Sequence, residues 1–249
     1  MDEDREEWNL KKIVSGLIKR DCCILLHQWK RMLVYCGSIF LLDVILLLYA
    51  QTFTIKYEIL GVTVEKFLSD PEKMPLQWIW VQIGILLISI DFIRKDFCEH
   101  TSCFLPHIKK RSLYWYSKML CGGILALGLS VFLMAEKLLV LFLGGRLGNA
   151  VEVSQTMLFA SCVLTFLGMC TLYWLYSLVS LMGNEIAGLT VCLAYVVLGL
   201  PINMPLMYCN SFMYARGNMF MAFAMAGVVL AGSLIIGIAR IRRMDILGK

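Results

Sequence analysis

Ionisable side chains are scarce in this chain. Asp, Glu, Lys and Arg make up 16% of its 249 residues while apolar residues reach 59%, a balance that excludes an ordinary soluble domain of this size. Histidine is scarcer still. The three present, His27, His100 and His107, all fall on the cytosolic side in the orientation derived below, so a Ser–His or Cys–His pair within the membrane would lack its base. There is no H-E-x-x-H, and Asp43 and Asp91 sit at different depths, which argues against two carboxylates sharing a proton. Intramembrane catalysis is therefore not expected. No G-x-x-x-x-G-K-[ST] occurs, so the chain is not expected to hydrolyse ATP or to carry a cofactor of its own. The acidic N-terminus offers no short apolar core with a small-residue cleavage site, and no cleavable signal peptide is expected. Of ten cysteines only Cys209 lies outside. That leaves no external intrachain disulfide, and the cysteines read as small apolar residues.

What the chain does have is long apolar runs. A bilayer crossing needs about 20 mostly apolar residues, and six runs approach or exceed that: 32–50, 76–93, 119–143, 153–182, 186–201 and 219–239. The expected fold is an all-α integral membrane protein, one transmembrane domain over 1–249 with six transmembrane helices. Lys and Arg set its orientation. With the N-terminus inside, the inner side holds Arg5, Lys11, Lys12, Lys19, Arg20, Lys30, Arg31, Arg94, Lys95, Lys109, Lys110, Arg111, Lys118, Arg240, Arg242, Arg243 and Lys249. The outer side keeps Lys56, Lys66, Lys73, Lys137, Arg146 and Arg216. Both termini are thus cytosolic, and the net charge of +5 is a topology signal rather than a nucleic-acid footprint.

Residues 1–31 form an amphipathic interfacial elbow. The apolar positions Leu10, Ile13, Val14, Leu17, Ile18, Ile24 and Leu25 recur at helical spacing, with Lys11, Lys12, Lys19 and Arg20 off the stripe. Such a helix lies in the inner interface with its lysines toward lipid phosphates, as a plain anchor or as an elbow that also touches a cytosolic partner.

The long polar segment 94–118 is a cytosolic loop with the layout of a protein-docking surface: a short amphipathic piece at 97–105, then Pro106, a basic triplet, and Tyr114–Trp115–Tyr116. Cys98, His100, Cys103 and His107 cluster within it. Their spacing is tighter than ordinary zinc pairs and Pro106 interrupts it, so no metal site is expected.

Asp43, in mid-span, costs roughly 2.5–3.5 kcal/mol on insertion scales and must face the bundle interior or a wet cavity. It reads as a polar site on a translocation path, a pairing point across a subunit interface, or an interhelical hydrogen-bond hub. Tyr173 and Tyr176 either line the same path or pack. Between runs five and six, an apolar stretch broken by Pro201 and Pro205, with Asn203 between them, is expected to be buried in protein as a short re-entrant or interfacial piece and to serve as an outer lid or gate.

This layout resembles the permease subunit of type-2 ABC exporters. Three local features carry the resemblance beside the six runs. SLYWYSKML at 112–120 resembles the family's lysine-opened third span; Glu99 and Thr101 sit where members have Glu followed by Gly-Thr; RRMDIL at 242–247 resembles the basic–Asp–aliphatic terminus. His100 stands in place of the common Gly. The resemblance implies a coupling helix carrying Phe97, Cys98, Glu99, His100, Thr101, Phe104 and Leu105, docked on a separate ABC ATPase that binds ATP and Mg. It implies a second permease chain, the same or a related one, in a multi-pass bacterial plasma membrane. It also implies short outer helices in the proline-broken stretch between runs five and six, and export of an amphipathic cargo such as an antimicrobial or bacteriocin-like peptide. The alternatives are export of drug-like amphiphiles, lipids or ions, and a non-transporting membrane partner of an ATPase.

Overall fold

A computed structural model describes residues 2–49, 76–90, 92, 96, 112–143, 155–199 and 219–243. Among the described residues the chain forms seven helices and no strand. They are α1 (Asp2–His27), α2 (Trp29–Tyr49), α3 (Leu76–Ser89), α4 (Ser112–Leu143), α5 (Gln155–Met182), α6 (Glu185–Gly199) and α7 (Met219–Arg243). Three described stretches are long and apolar enough to cross a membrane: Ser112–Val140, Cys162–Met182 and Phe220–Arg243. Two shorter apolar stretches, Ile79–Ser89 and Glu185–Leu198, accompany them. The six apolar runs of the sequence fall on α2 to α7, in order.

Helix boundaries follow local chemistry. α1 and α2 are separated at Gln28, whose amide donates to the Leu25 carbonyl while its own carbonyl accepts from Arg31 and Met32, restarting the ladder in a new direction. α5 and α6 are joined by Gly183 and Asn184. The Asn184 side chain accepts the Ala187 amide at 2.6 Å, an N-cap that satisfies an otherwise orphaned donor, with Glu185 in the positive first turn of α6. This short turn makes α5 and α6 neighbours running in opposite directions.

α5 is the axis of the bundle and packs against α3, α4, α6 and α7. Its Met169, Leu172, Tyr173 and Tyr176 are buried together with Tyr35 and Ile39 of α2, Ile85 and Leu86 of α3, Trp115 and Ala126 of α4, and Cys192 and Val196 of α6. Close approach depends on glycine, as two positions illustrate. A β-carbon on Gly122 would stand inside the Tyr173 ring, and one on Gly237 of α7 would stand inside the Trp115 indole. The outward faces are apolar as well: Leu120, Ile124, Leu127, Val131 and Leu138 on α4, and Val228 and Ile235 on α7, are exposed. Apolar residues on both the inner and the outer face fit a helix bundle in lipid better than one in water.

The start of α4 departs from the expectation. Its first seven residues, placed by the sequence reading in the 94–118 loop, are helical. The polar SLYWYSK segment buries Tyr114, Trp115, Ser117 and Lys118, so tertiary contacts extend the helix two turns beyond the apolar run.

Candidate functional site

On α1 the buried and half-buried positions run Val14, Leu17, Ile18, Asp21, Cys22, Leu25, one continuous helical stripe. Asp21 sits in the middle of it and is 0% exposed. α4 packs on this stripe and brings a second enclosed charge, Lys118, also 0% exposed. The third comes from Asp96, 4% exposed, in the segment between α3 and α4. Arg20, half-buried on α1, is the fourth.

These four charges close a ring in which signs alternate. Arg20 lies 2.7 Å from Asp21 and 2.8 Å from Asp96 through the same guanidinium nitrogen. Lys118 lies 3.0 Å from Asp21 and 2.7 Å from Asp96. Neutral donors add to the carboxylates' shells: Ser117 donates to Asp21 at 2.7 Å and Tyr114 to Asp96 at 2.8 Å. The Phe92 ring centroid is 3.9 Å from the Lys118 ammonium, a cation–π contact from the end of the α3 segment.

Enclosing ions costs several kcal/mol each, and only good geometry with further hydrogen bonds recovers it. The ring meets that requirement. Burial alone would lift the Asp96 carboxyl, but Lys118, the Tyr114 hydroxyl and Arg20 outweigh it and hold the group below its ordinary value. For Arg20 burial works against the charge, yet the carboxylates of Asp21 and Asp96 raise the guanidinium above its ordinary value. The four charges sum to zero and each faces two opposite ones. What the arrangement does is hold three segments of chain together: the N-terminal helix, the end of the α3 segment and the start of α4.

α5 braces the ring from behind. Tyr173 donates to the Lys118 carbonyl at 3.1 Å and Trp174 to the Met119 carbonyl at 3.3 Å. Arg31, at the start of α2, donates to the Ile90 carbonyl at 2.9 Å and ties the end of α3 to the same corner.

A second ion pair lies farther along α4. Asp43 of α2 is 1% exposed, and its carboxylate is 3.6 Å from the Lys137 ammonium. Lys118 and Lys137 are 19 positions apart on one helix, about 28 Å at 1.5 Å per residue, close to the roughly 30 Å of a hydrocarbon core. α4 is therefore fastened to the α1–α2 pair by one lysine near each end.

The residues singled out from the sequence fall as follows. Leu17 is buried, Val14 half-buried and Lys19 exposed, in line with the amphipathic reading of α1; Leu10 and Ile13 are on α1, their side chains outside the described set. Arg20, off the apolar stripe, is half-buried, and its guanidinium engages Asp21 and Asp96. Asp43, Tyr173 and Tyr176 are all buried but occupy different places: Asp43 against Lys137, Tyr173 against the Lys118 carbonyl, and Tyr176 beside Gly188 of α6. The coupling residues Phe97, Cys98, Glu99, His100, Thr101, Phe104 and Leu105, the gate residues Pro201, Asn203 and Pro205, and the Cys/His cluster at 98–107 lie outside the described residues. Among the described residues no group of three or more His, Cys, Asp or Glu could hold a metal ion.

Asp21 and Asp96 were missed by sequence reasoning. A signal for Asp21 was present, since it follows Leu17 by four and precedes Leu25 by four on an apolar stripe.

No family model, curated protein or solved structure matches the chain. The described residues define it as a helical protein with several apolar helices, compatible with residence in a membrane.

Proposed function

We propose that the chain is the transmembrane permease subunit of an ATP-driven exporter in the plasma membrane. Its apolar helices α2 to α7 cross the bilayer six times with both termini in the cytosol, and α1 lies along the inner face. It pairs with a second permease chain and with two separate ATPase subunits that bind ATP and Mg. The cargo is amphipathic, with a peptide as the leading class.

The observation that carries this reading is the ionic ring. Asp96 immediately precedes residues 97–105, the segment proposed to dock on the ATPase, and is bonded to both α1 and the first turn of α4. A displacement of that segment would be passed to the N-terminal helix and to a helix 32 residues long without slack. Closure of the ATPase subunits pushes on the docking segment, the ring transmits the push, and the helix bundle tilts to change access from the inner leaflet to the outside. The cargo enters laterally or from the inner side.

The reading is tested by purifying the tagged full-length chain from its native cell in mild detergent and identifying what accompanies it by mass spectrometry. A P-loop ATPase in stoichiometric amount, with ATP turnover raised by an amphipathic peptide, is the expected result. Its absence, under conditions that hold other membrane complexes together, would overturn the proposal.

A further inference from the structure

Beside the ring two thiols meet. Cys22 on α1 and Cys121 on α4 bring their Sγ atoms to 3.5 Å, and the Cys121 sulfur lies 3.6 Å from the Ile18 carbonyl. Cys22 follows ring member Asp21 directly, and Cys121 is one helical turn beyond Lys118. Seven described cysteines are free, and this is the pair whose sulfurs touch. Cys121 is buried in the same core as Cys170 and Cys192, whereas its partner Cys22 is half-buried on α1. A disulfide requires about 2.05 Å between sulfurs, so an approach of roughly 1.5 Å is needed. Both sulfurs lie on the α1–α4 contact, where side-chain rotation can supply it.

We propose that Cys22 and Cys121 are a modification site: a hydroperoxide-class oxidant converts them to a disulfide that clips α1 to α4 and fixes the ring in its closed arrangement. The half-buried Cys22 thiol attacks the peroxide O–O bond, giving a sulfenic acid and releasing one water. The Cys121 sulfur then displaces hydroxide from the sulfenic sulfur, the S–S bond forms, and a second water leaves with the Cys121 proton. Two thiols are oxidised and one peroxide is reduced. Thiol–disulfide exchange with a dithiol reverses the step. Because the ring is the proposed route from the ATPase to the helix bundle, the clip would arrest export; this consequence rests on the exporter reading, while formation of the bond does not.

The purified full-length chain in detergent is treated with hydrogen peroxide, alkylated, digested and sequenced by mass spectrometry. A linked Cys22–Cys121 peptide, reversed by dithiothreitol and absent from Cys22→Ser and Cys121→Ser, is expected. Over-oxidation of Cys22 with no linked peptide, or linkage scrambled among other cysteines, overturns the site. Cys22→Ser alters a half-buried surface position and keeps the test open should Cys121→Ser misfold. In the complex with its ATPase, oxidation is expected to lower cargo-stimulated ATP turnover at least tenfold, restored by dithiothreitol. A linked peptide with unchanged turnover overturns the regulatory role alone, and a linked peptide from a chain that recruits no ATPase overturns the exporter reading alone.

Discussion

Replacing Lys118 by methionine keeps most of the side chain's volume and removes its charge. In the native ring the ammonium is fully enclosed, 3.0 Å from Asp21 and 2.7 Å from Asp96. After the substitution two enclosed carboxylates share Arg20 alone, with Ser117 and Tyr114 as their neutral donors, and the site carries a net charge of −1. Breaking one partner out of a buried ionic network costs about 3–5 kcal/mol, which is roughly two to three and a half decades in the ratio of folded to unfolded protein. Removing the whole ring is a different perturbation. With Arg20 and Lys118 changed to Met and Asp21 and Asp96 to Leu, no ion is left unpaired, and the effect should range from neutral to about 4 kcal/mol stabilising. Both variants would be unfolded reversibly in mixed micelles by added ionic detergent and compared with wild type. The quadruple variant is expected to fold and to lose only what the ring does. If Lys118→Met costs under about 1 kcal/mol, water reaches the carboxylates and the argument from enclosed charge is wrong.

The low Asp96 value sets a pH dependence. A carboxyl whose folded value lies below its unfolded one, ordinarily about 3.9, adds stability that is present above the unfolded value and lost as pH falls through the folded value. The thermal midpoint should therefore hold from neutrality down to about pH 4 and then drop, with the Asp96→Asn variant already low at neutral pH and flatter on the acid side. Gly122→Ala is expected to cost about 1–3 kcal/mol because the Tyr173 ring occupies the β-carbon position. Gly123→Ala meets nothing within 4 Å and should be neutral or stabilising by up to about 1 kcal/mol, so equal midpoints for the two would contradict the packing. At the other end of α4, Asp43→Leu and Lys137→Leu should each destabilise, and the double variant by less than their sum; strict additivity would mean the pair at 3.6 Å is not coupled. If the proposed exporter reading holds, Glu99→Lys in the proposed docking segment is expected to separate ATP turnover from export while membrane insertion persists, and unimpaired transport would refute its role.

The helices were legible because membrane-length apolar runs are a local property, visible without knowing what packs on what. The end of the loop was not. Ser112–Val140 begins with two polar turns that are helical only because Tyr114, Trp115 and Lys118 are enclosed by neighbours from elsewhere in the chain. The ring was hidden for the same reason. Asp96 reads as part of a polar loop and Arg20 as a base off the apolar stripe, since the contacts that join them to each other and to Lys118 cross remote parts of the chain. What the sequence did display was charge at stripe positions: Asp21 four after Leu17, Asp43 four after Ile39, and Glu136 three after Leu133. A charge at such a position has to be answered from another segment, and for Asp21 and Asp43 the answers are Lys118 and Lys137. The mid-span reading of Asp43 kept that option open without naming the lysine.

The two fastenings of α4 also bear on how the chain is assembled during synthesis. Asp21 and Asp43 are made first, and the lysines that neutralise them emerge about 95 residues later, roughly 5–20 s at ordinary translation speeds. Through that interval the nascent α1–α2 pair carries two acidic groups that lipid does not welcome. It must wait at the translocation machinery, or in the headgroup layer, until α4 arrives. Docking of α4 then settles both ends in one event, so the α1–α2 pair and α4 would enter their final places together rather than in order of birth.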